Sequence, residues 1–204
     1  MRDLNKALGY ISSIRMQMAR STDFRGYGPM TLGATGILAI AAAIAQAHWL
    51  PDAEHHIPAY LATWISTAIV SAALIGVEMF ARTRRIHTGM ADKMIWMAVE
   101  QFLPSAAAGG LITYALTHYV PAVSWMLPGL WQVIFALGVF SSCRFLPRQM
   151  IAAGMWYLFA GLFCVSLGDA RAFSPWVMGV PYGAGQLLVA GILLYKAREA
   201  RDEA

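Results

Sequence analysis

Residues 94–118 read MIWMAVEQFLPSAAAGGLITYALTH. As a helix this stretch has the length that crosses a bilayer, about 20 residues or slightly more. Yet it carries Glu100, Gln101, Pro104 and the pair Gly109-Gly110. A carboxyl group in hydrocarbon is costly, so within a membrane it normally faces protein or water and marks a site. Glu100, Pro104, Ala107, Leu111, Tyr114 and His118 share one face by helical spacing. Glu100 lies about 10 Å along the helix from Lys93, in the inner third of a membrane. This stripe is expected to point into a helical bundle, where Arg82, Arg144 or polar groups of other helices meet Glu100.

Working outward, the composition agrees. Of 204 residues, 58% are hydrophobic and 13% are charged, about half the charge of an average globular chain. The charges cluster and leave long runs bare, which predicts an integral membrane protein. The net charge of +4 comes from Lys and Arg flanking those runs. It serves topology and contact with the lipid bilayer rather than nucleic-acid binding. Cys143 and Cys164 fall inside apolar runs without a CxxC pair and read as small buried residues. The first apolar run begins near Met30 after a charged, helical segment, so no cleavable signal peptide is expected.

The predicted fold class is all-α: a polytopic integral membrane protein with six transmembrane helices and an N-terminal amphipathic interfacial helix. Residues 1–28 form that cytoplasmic helix, with the stripe Leu4, Leu8, Ile11, Ile14 and Met18, and end in a Gly-Pro breaker. Residues 29–195 hold the spans, about Met30–Trp49, Pro58–Phe80, Met94–His118, Val123–Cys143, Met150–Leu167 and Pro175–Tyr195. Residues 196–204 are a charged cytoplasmic tail. Basic residues crowd the segment before span 1, the loops after spans 2 and 4, and the tail; the other loops hold only Arg171. The positive-inside rule then puts both termini in the cytoplasm of a bacterial inner membrane.

Small residues recur every fourth position. Span 1 has Ala39, Ala43 and Ala47, and span 2 has Ala68, Ala72 and Gly76. Such faces let helix backbones approach closely in lipid. Six spans in a chain of this size, with the Ala39, Ala43, Ala47 face, are similar to the substrate-binding subunits of energy-coupling-factor vitamin transporters. The likeness covers architecture and that one short motif. It implies a membrane partner and a bound small molecule. A second pattern suggests a 3+3 inverted repeat. His48-Trp49-Leu50-Pro51 parallels Arg144-Phe145-Leu146-Pro147, and Pro104 with Ala108-Gly109-Gly110 parallels Pro181 with Ala184-Gly185-Gln186.

The candidate intramembrane polar site comprises Glu100, Gln101, Tyr114, Gln132, Tyr182 and Gln186. Gln132 and Gln186 sit near mid-span, and Pro104 and Pro181 free backbone carbonyls at comparable depth. His48, His55, His56 and His118 gather toward the outer side with Asp52 and Glu54, and are candidate Zn or Cu ligands. No HxH or HxxxH pair falls inside a span, so a metal site is not the favoured reading. No GxSxG, P-loop, HExxH or GxGxxG pattern is present, and Ser141-Ser142 lacks a neighbouring base. No catalytic motif and no cofactor pattern is therefore expected. The expected function is small-solute transport or solute binding as a membrane subunit. Two alternatives compete with it. One is a regulatory or scaffold protein whose N-terminal helix and basic loop engage a cytoplasmic or membrane partner or a second copy. The other is an outer-face metal protein.

Overall fold

The computed structural model describes residues 28–86, 91–143 and 149–202, with side chains described except at 82–86, 91–95, 97, 98, 196, 197 and 199–202. The expected amphipathic helix over 1–28 and the Arg144-Phe145-Leu146-Pro147 motif lie outside the described residues. So do the side chains of Arg82 and Lys93. Among the described residues there are six α-helices: α1 Pro29–Trp49, α2 Ile57–Ile86, α3 Ala91–Tyr119, α4 Leu127–Ser142, α5 Met150–Ser166 and α6 Pro175–Asp202. Helix makes up 92% of the structure, with no strand among the described residues.

The boundaries follow from local chemistry. Pro29 and Pro175 occupy the first turns of α1 and α6, where the missing N–H costs nothing. Leu50 and Val120 precede Pro51 and Pro121, which excludes the helical conformation for them, and both take extended φ values of -139° and -138°. Short 3-10 turns, Ala53–His55, Pro121–Met126 and Ala170–Phe173, bridge α1–α2, α3–α4 and α5–α6. These three connections are set here at the top of the bundle. Two helices overrun the expected spans: α2 continues to Ile86 and α6 to Asp202. Arg, Lys, Glu and Ala continue a helix without a breaker.

Four segments are long and apolar enough to cross a membrane: Pro29–Trp49, Ile57–Ala81, Pro121–Ser142 and Pro175–Tyr195. Glu100 and Gln101 make α3 more polar, and α5 is apolar but only 17 residues long. Their length and composition are consistent with an integral membrane protein.

The helices form a ring. Each packs on its chain neighbours, and α6 closes on α1. The α1–α6 and α4–α5 contacts are the most extensive and α2–α3 the thinnest. Missing side chains explain the close pairs. A Cβ on Gly36 would stand 3.0 Å from the Gly183 carbonyl oxygen. Cβ atoms on Gly129 and Gly161 would each stand 2.7 Å from the other's carbonyl oxygen. Backbones this near gain dispersion contacts, the chief source of helix association in lipid.

Ala39 and Ala43 are buried, Ala43 against Gly179 of α6, while Ala47 is exposed. The face that carries the likeness to vitamin-transporter subunits is thus taken up inside the chain. On α2 the opposite holds: Ala68 and Ala72 are exposed, and a Cβ on Gly76 would meet nothing. The two halves also pack unequally, because α4 lies closely on α5 whereas α1 touches α2 lightly. A duplication would pair them alike.

Two apolar clusters fill the ring. The lower one joins Leu32, Met79, Met150, Ala153, Val189 and Ala190. The upper one joins Ala42, Ala43, Tyr60, Trp64, Phe173 and Met178. Near the bottom, the Glu78 carboxylate lies against Gly28 at the start of α1, where the helix dipole favours an anion.

A candidate solute site in the aromatic core

Aromatic rings line the middle of the ring of helices. Tyr60 of α2 stacks on Trp131 of α4 at 6.4 Å and meets the edge of Phe173 at 5.0 Å. Phe135 of α4 contacts Tyr157 of α5 at 4.7 Å and Tyr182 of α6 at 5.5 Å. Tyr157 and Tyr182 lie 5.4 Å apart. Gly185 makes room for Tyr157: a methyl group there would land on its ring and hydroxyl. Tyr60 and Tyr157 are fully buried, whereas Tyr182 keeps part of its surface uncovered.

Polar groups are threaded through this apolar lining. Pro181 has no N–H to give the carbonyl of Val177, four residues earlier. Gln132 of α4 supplies the missing donor, its Nε2 bonding to Val177 O at 2.9 Å. Pro104 likewise leaves the Glu100 carbonyl without its helical donor, and Ser141 of α4 approaches the next carbonyl, Gln101 O, at 3.2 Å. α4 therefore repairs the break in α6 and touches α3 beside its own. Gln46 of α1 is satisfied on both sides, donating to Phe173 O at 2.8 Å and accepting from the Trp64 indole at 2.7 Å. The Trp131 indole donates to Thr113 of α3 at 2.8 Å.

Among the described residues four buried polar atoms have no partner: the hydroxyls of Tyr60, Ser124 and Tyr157, and Oε1 of Gln132. The Gln132 amide orientation follows from its neighbour, since only an N–H can face the Val177 carbonyl. Its oxygen must then point elsewhere. Buried polar groups nearly always have a partner, and each orphan costs about 1–3 kcal/mol. Those groups come from α2, the Pro121–Met126 turn, α4 and α5, so no single local fault explains them.

Above the core, at the top of the bundle, is a cleft of about 370 Å³ whose lining includes Asp52, Glu54, Arg171 and Phe173. Phe173 is the buried floor of that cleft and also touches Tyr60. Its turn is tied down by Asp169, which accepts from the Arg171 backbone N–H and from Nε, both at 2.9 Å. The hydrogen bond from the Arg171 side chain, then that from its backbone, holds the Asp169 carboxyl below the ordinary carboxylate range.

The six residues expected from the sequence divide. Gln132 and Tyr182 face the core. Gln186 is buried instead in the α1–α6 contact, against Gly36. Gln101 is half-buried and contributes its backbone carbonyl to Ser141. Glu100 and Tyr114 are exposed, and so are Pro104, Ala107, Leu111 and His118. The expectation that this stripe points into the bundle is therefore wrong for the single chain. The opposite face of α3 wins because it fits α4. Phe102 covers Gly138 and packs on Phe135, and Thr113 receives the Trp131 indole. The histidines do not converge either. His118 stacks on Tyr114, His55 sits by Glu54, and His56 contacts the Asp52 carbonyl. Among the described residues no three His, Cys, Asp or Glu side chains are placed to hold a metal. Tyr60, Tyr157, Gln46 and Ser124 were not singled out by the sequence. Gln46 had a signal, being an amide in an apolar run; the tyrosines read as ordinary core aromatics.

No family model, curated protein or solved structure matches the chain.

Proposed function

We propose that the chain is a six-span membrane protein that binds or carries a small solute in its aromatic core. Four helices support the spans directly. At 29 residues α3 is long enough despite its polarity, and the 17 residues of α5 lie at the short end of the usual range. An even number of crossings brings both termini to one side. The basic residues assign that side to the cytoplasm of a bacterial inner membrane.

The observation that carries the solute reading is that four buried polar atoms, of Tyr60, Ser124, Gln132 and Tyr157, have no partner among the described residues. Together they represent several kcal/mol of unmet hydrogen bonding, a large share of a typical folding free energy. A bound molecule supplies those bonds. The test is a high-resolution structure of protein purified in lipid nanodiscs. Non-protein density within hydrogen-bond distance of Tyr157 and Gln132 Oε1 is expected. An empty gap, with Tyr157→Phe more stable whatever solute is added, would sink the reading.

A regulatory or scaffold role is the second reading. It is favoured by the exposed polar stripe of α3 and the open Ala68-Ala72-Gly76 face of α2, which are surfaces for another membrane chain or a second copy. Cross-linking through a cysteine at Ala107 that captures a defined partner, with no core ligand found, favours this one instead.

A further inference from the structure

We infer that the cleft at the top of the bundle holds the headgroup of a zwitterionic lipid with a primary ammonium, its phosphate on Arg171 and its ammonium on Asp52 and Glu54. These three side chains line one cleft of about 370 Å³, with Phe173 as its floor and Pro51 and Pro175 beside it. Both charge signs are thus presented to one molecule. Arg171 is exposed, yet its guanidinium is fixed. Nε donates to both Asp169 oxygens at 2.9 Å and Nη2 to the Leu167 carbonyl at 3.0 Å. Nη1 has no partner among the described residues. A guanidinium ordered beforehand loses less entropy when it takes up a phosphate. The Asp52 carboxylate has no partner among the described residues, and Glu54 meets only the His55 ring, at 3.6 Å.

Depth identifies the source of the ligand. The apolar segments stop at Trp49 in α1 and resume at Pro175 in α6, and the cleft is built from the turns just beyond them. Trp49 and Trp176 are exposed, and exposed tryptophans at span ends sit at the level of lipid headgroups. That layer is about 5–8 Å deep on each face of a bilayer, so turns of a few residues lie within it. This placement uses the membrane spans proposed above and not the solute in the core. Charge then selects the lipid. Asp52, Glu54 and Asp169 outnumber Arg171, which disfavours an anionic headgroup. A choline headgroup has no N–H for the carboxylates to accept, whereas an ethanolamine ammonium forms charge-assisted hydrogen bonds with them. Water alone in the cleft is the rival, and it predicts no preference among headgroups.

The full chain is first reconstituted in nanodiscs, which tests the spans separately; a chain that does not enter the bilayer overturns the inference with them. It is then titrated in detergent micelles with phosphatidylethanolamine, phosphatidylcholine or phosphatidylglycerol of identical chains, and binding of the first lipid is read by native mass spectrometry. Phosphatidylethanolamine should bind about three- to tenfold more tightly than either of the others, the scale of a few exposed ion pairs. Asp52→Asn combined with Glu54→Gln should abolish its lead over phosphatidylcholine, with circular dichroism showing that the variant is folded. Arg171→Gln should weaken the ethanolamine and choline lipids alike, because both carry the phosphate. Equal binding of the three lipids, or a lead that survives the double substitution, overturns the inference. So does glycerophosphoethanolamine, which lacks the chains, binding as tightly as the lipid: the cleft would then serve a free solute.

Discussion

Tyr157 combines a packed ring with an unsatisfied hydroxyl. Its ring is well packed against Phe135 and Gly185, but its hydroxyl has no partner. Replacing an unsatisfied hydroxyl by hydrogen relieves a desolvation cost. In solute-free protein Tyr157→Phe should therefore raise stability by about 1 kcal/mol, measured by reversible denaturation in nanodiscs. Trp64 should behave in the opposite way. Its indole N–H meets Gln46 Oε1, whose amide in turn holds the Phe173 carbonyl. Trp64→Phe keeps an aromatic ring but strands a buried acceptor, at a cost of about 1–3 kcal/mol. A Trp64→Phe protein as stable as the parent would show that this chain of bonds is not coupled.

Elements meet in this fold where side chains are absent. The α4–α5 crossing brings the Gly129 and Gly161 backbones into direct contact, with Val165 and Val133 closing over them. Alanine at either position should destabilise by about 1–3 kcal/mol, the usual penalty of overpacking. Both changes strain one contact, so the double variant should cost less than the sum of the two. The Ala170–Phe173 turn is a different case, in which an ion pair adds to the packing of Ala172 and Phe173. Asp169 has a lowered pKa because of Arg171. A carboxylate lowered on folding contributes fully above its unfolded value, about 3.9, and loses that contribution as pH falls through the folded value. Hydrogen-exchange protection of the Arg171 amide should thus persist through pH 4 and disappear only below it. In Asp169→Asn the profile should be flat in this range.

For the whole molecule, the proposed topology sets Glu54 and Ala170 outside and Arg198 inside; all three are exposed. Single cysteines there, with Cys143 and Cys164 replaced by alanine, should label from outside at the first two positions and not at the third. Labelling of Arg198→Cys in intact cells would reverse the orientation. The helices themselves could be read from the sequence. Apolar run lengths and the prolines at 29, 51, 121 and 175 act within a few residues of their own positions, so the limits of α1 and the other helices are local properties. The fault made by Pro181 was legible too, but not that Gln132, 45 residues before the freed Val177 carbonyl, repairs it. Which face of each helix turns inward was decided only by the tertiary structure. In a chain this apolar, hydropathy differs little around a helix, and lipid competes with protein for every nonpolar face. Shape then decides: Phe102 fits over Gly138, Trp131 reaches Thr113, and the side of α3 bearing Glu100 is left outside. The same packing buries Tyr60, Tyr157 and Gln132 through contacts between helices far apart in the chain, which no single segment of sequence encodes.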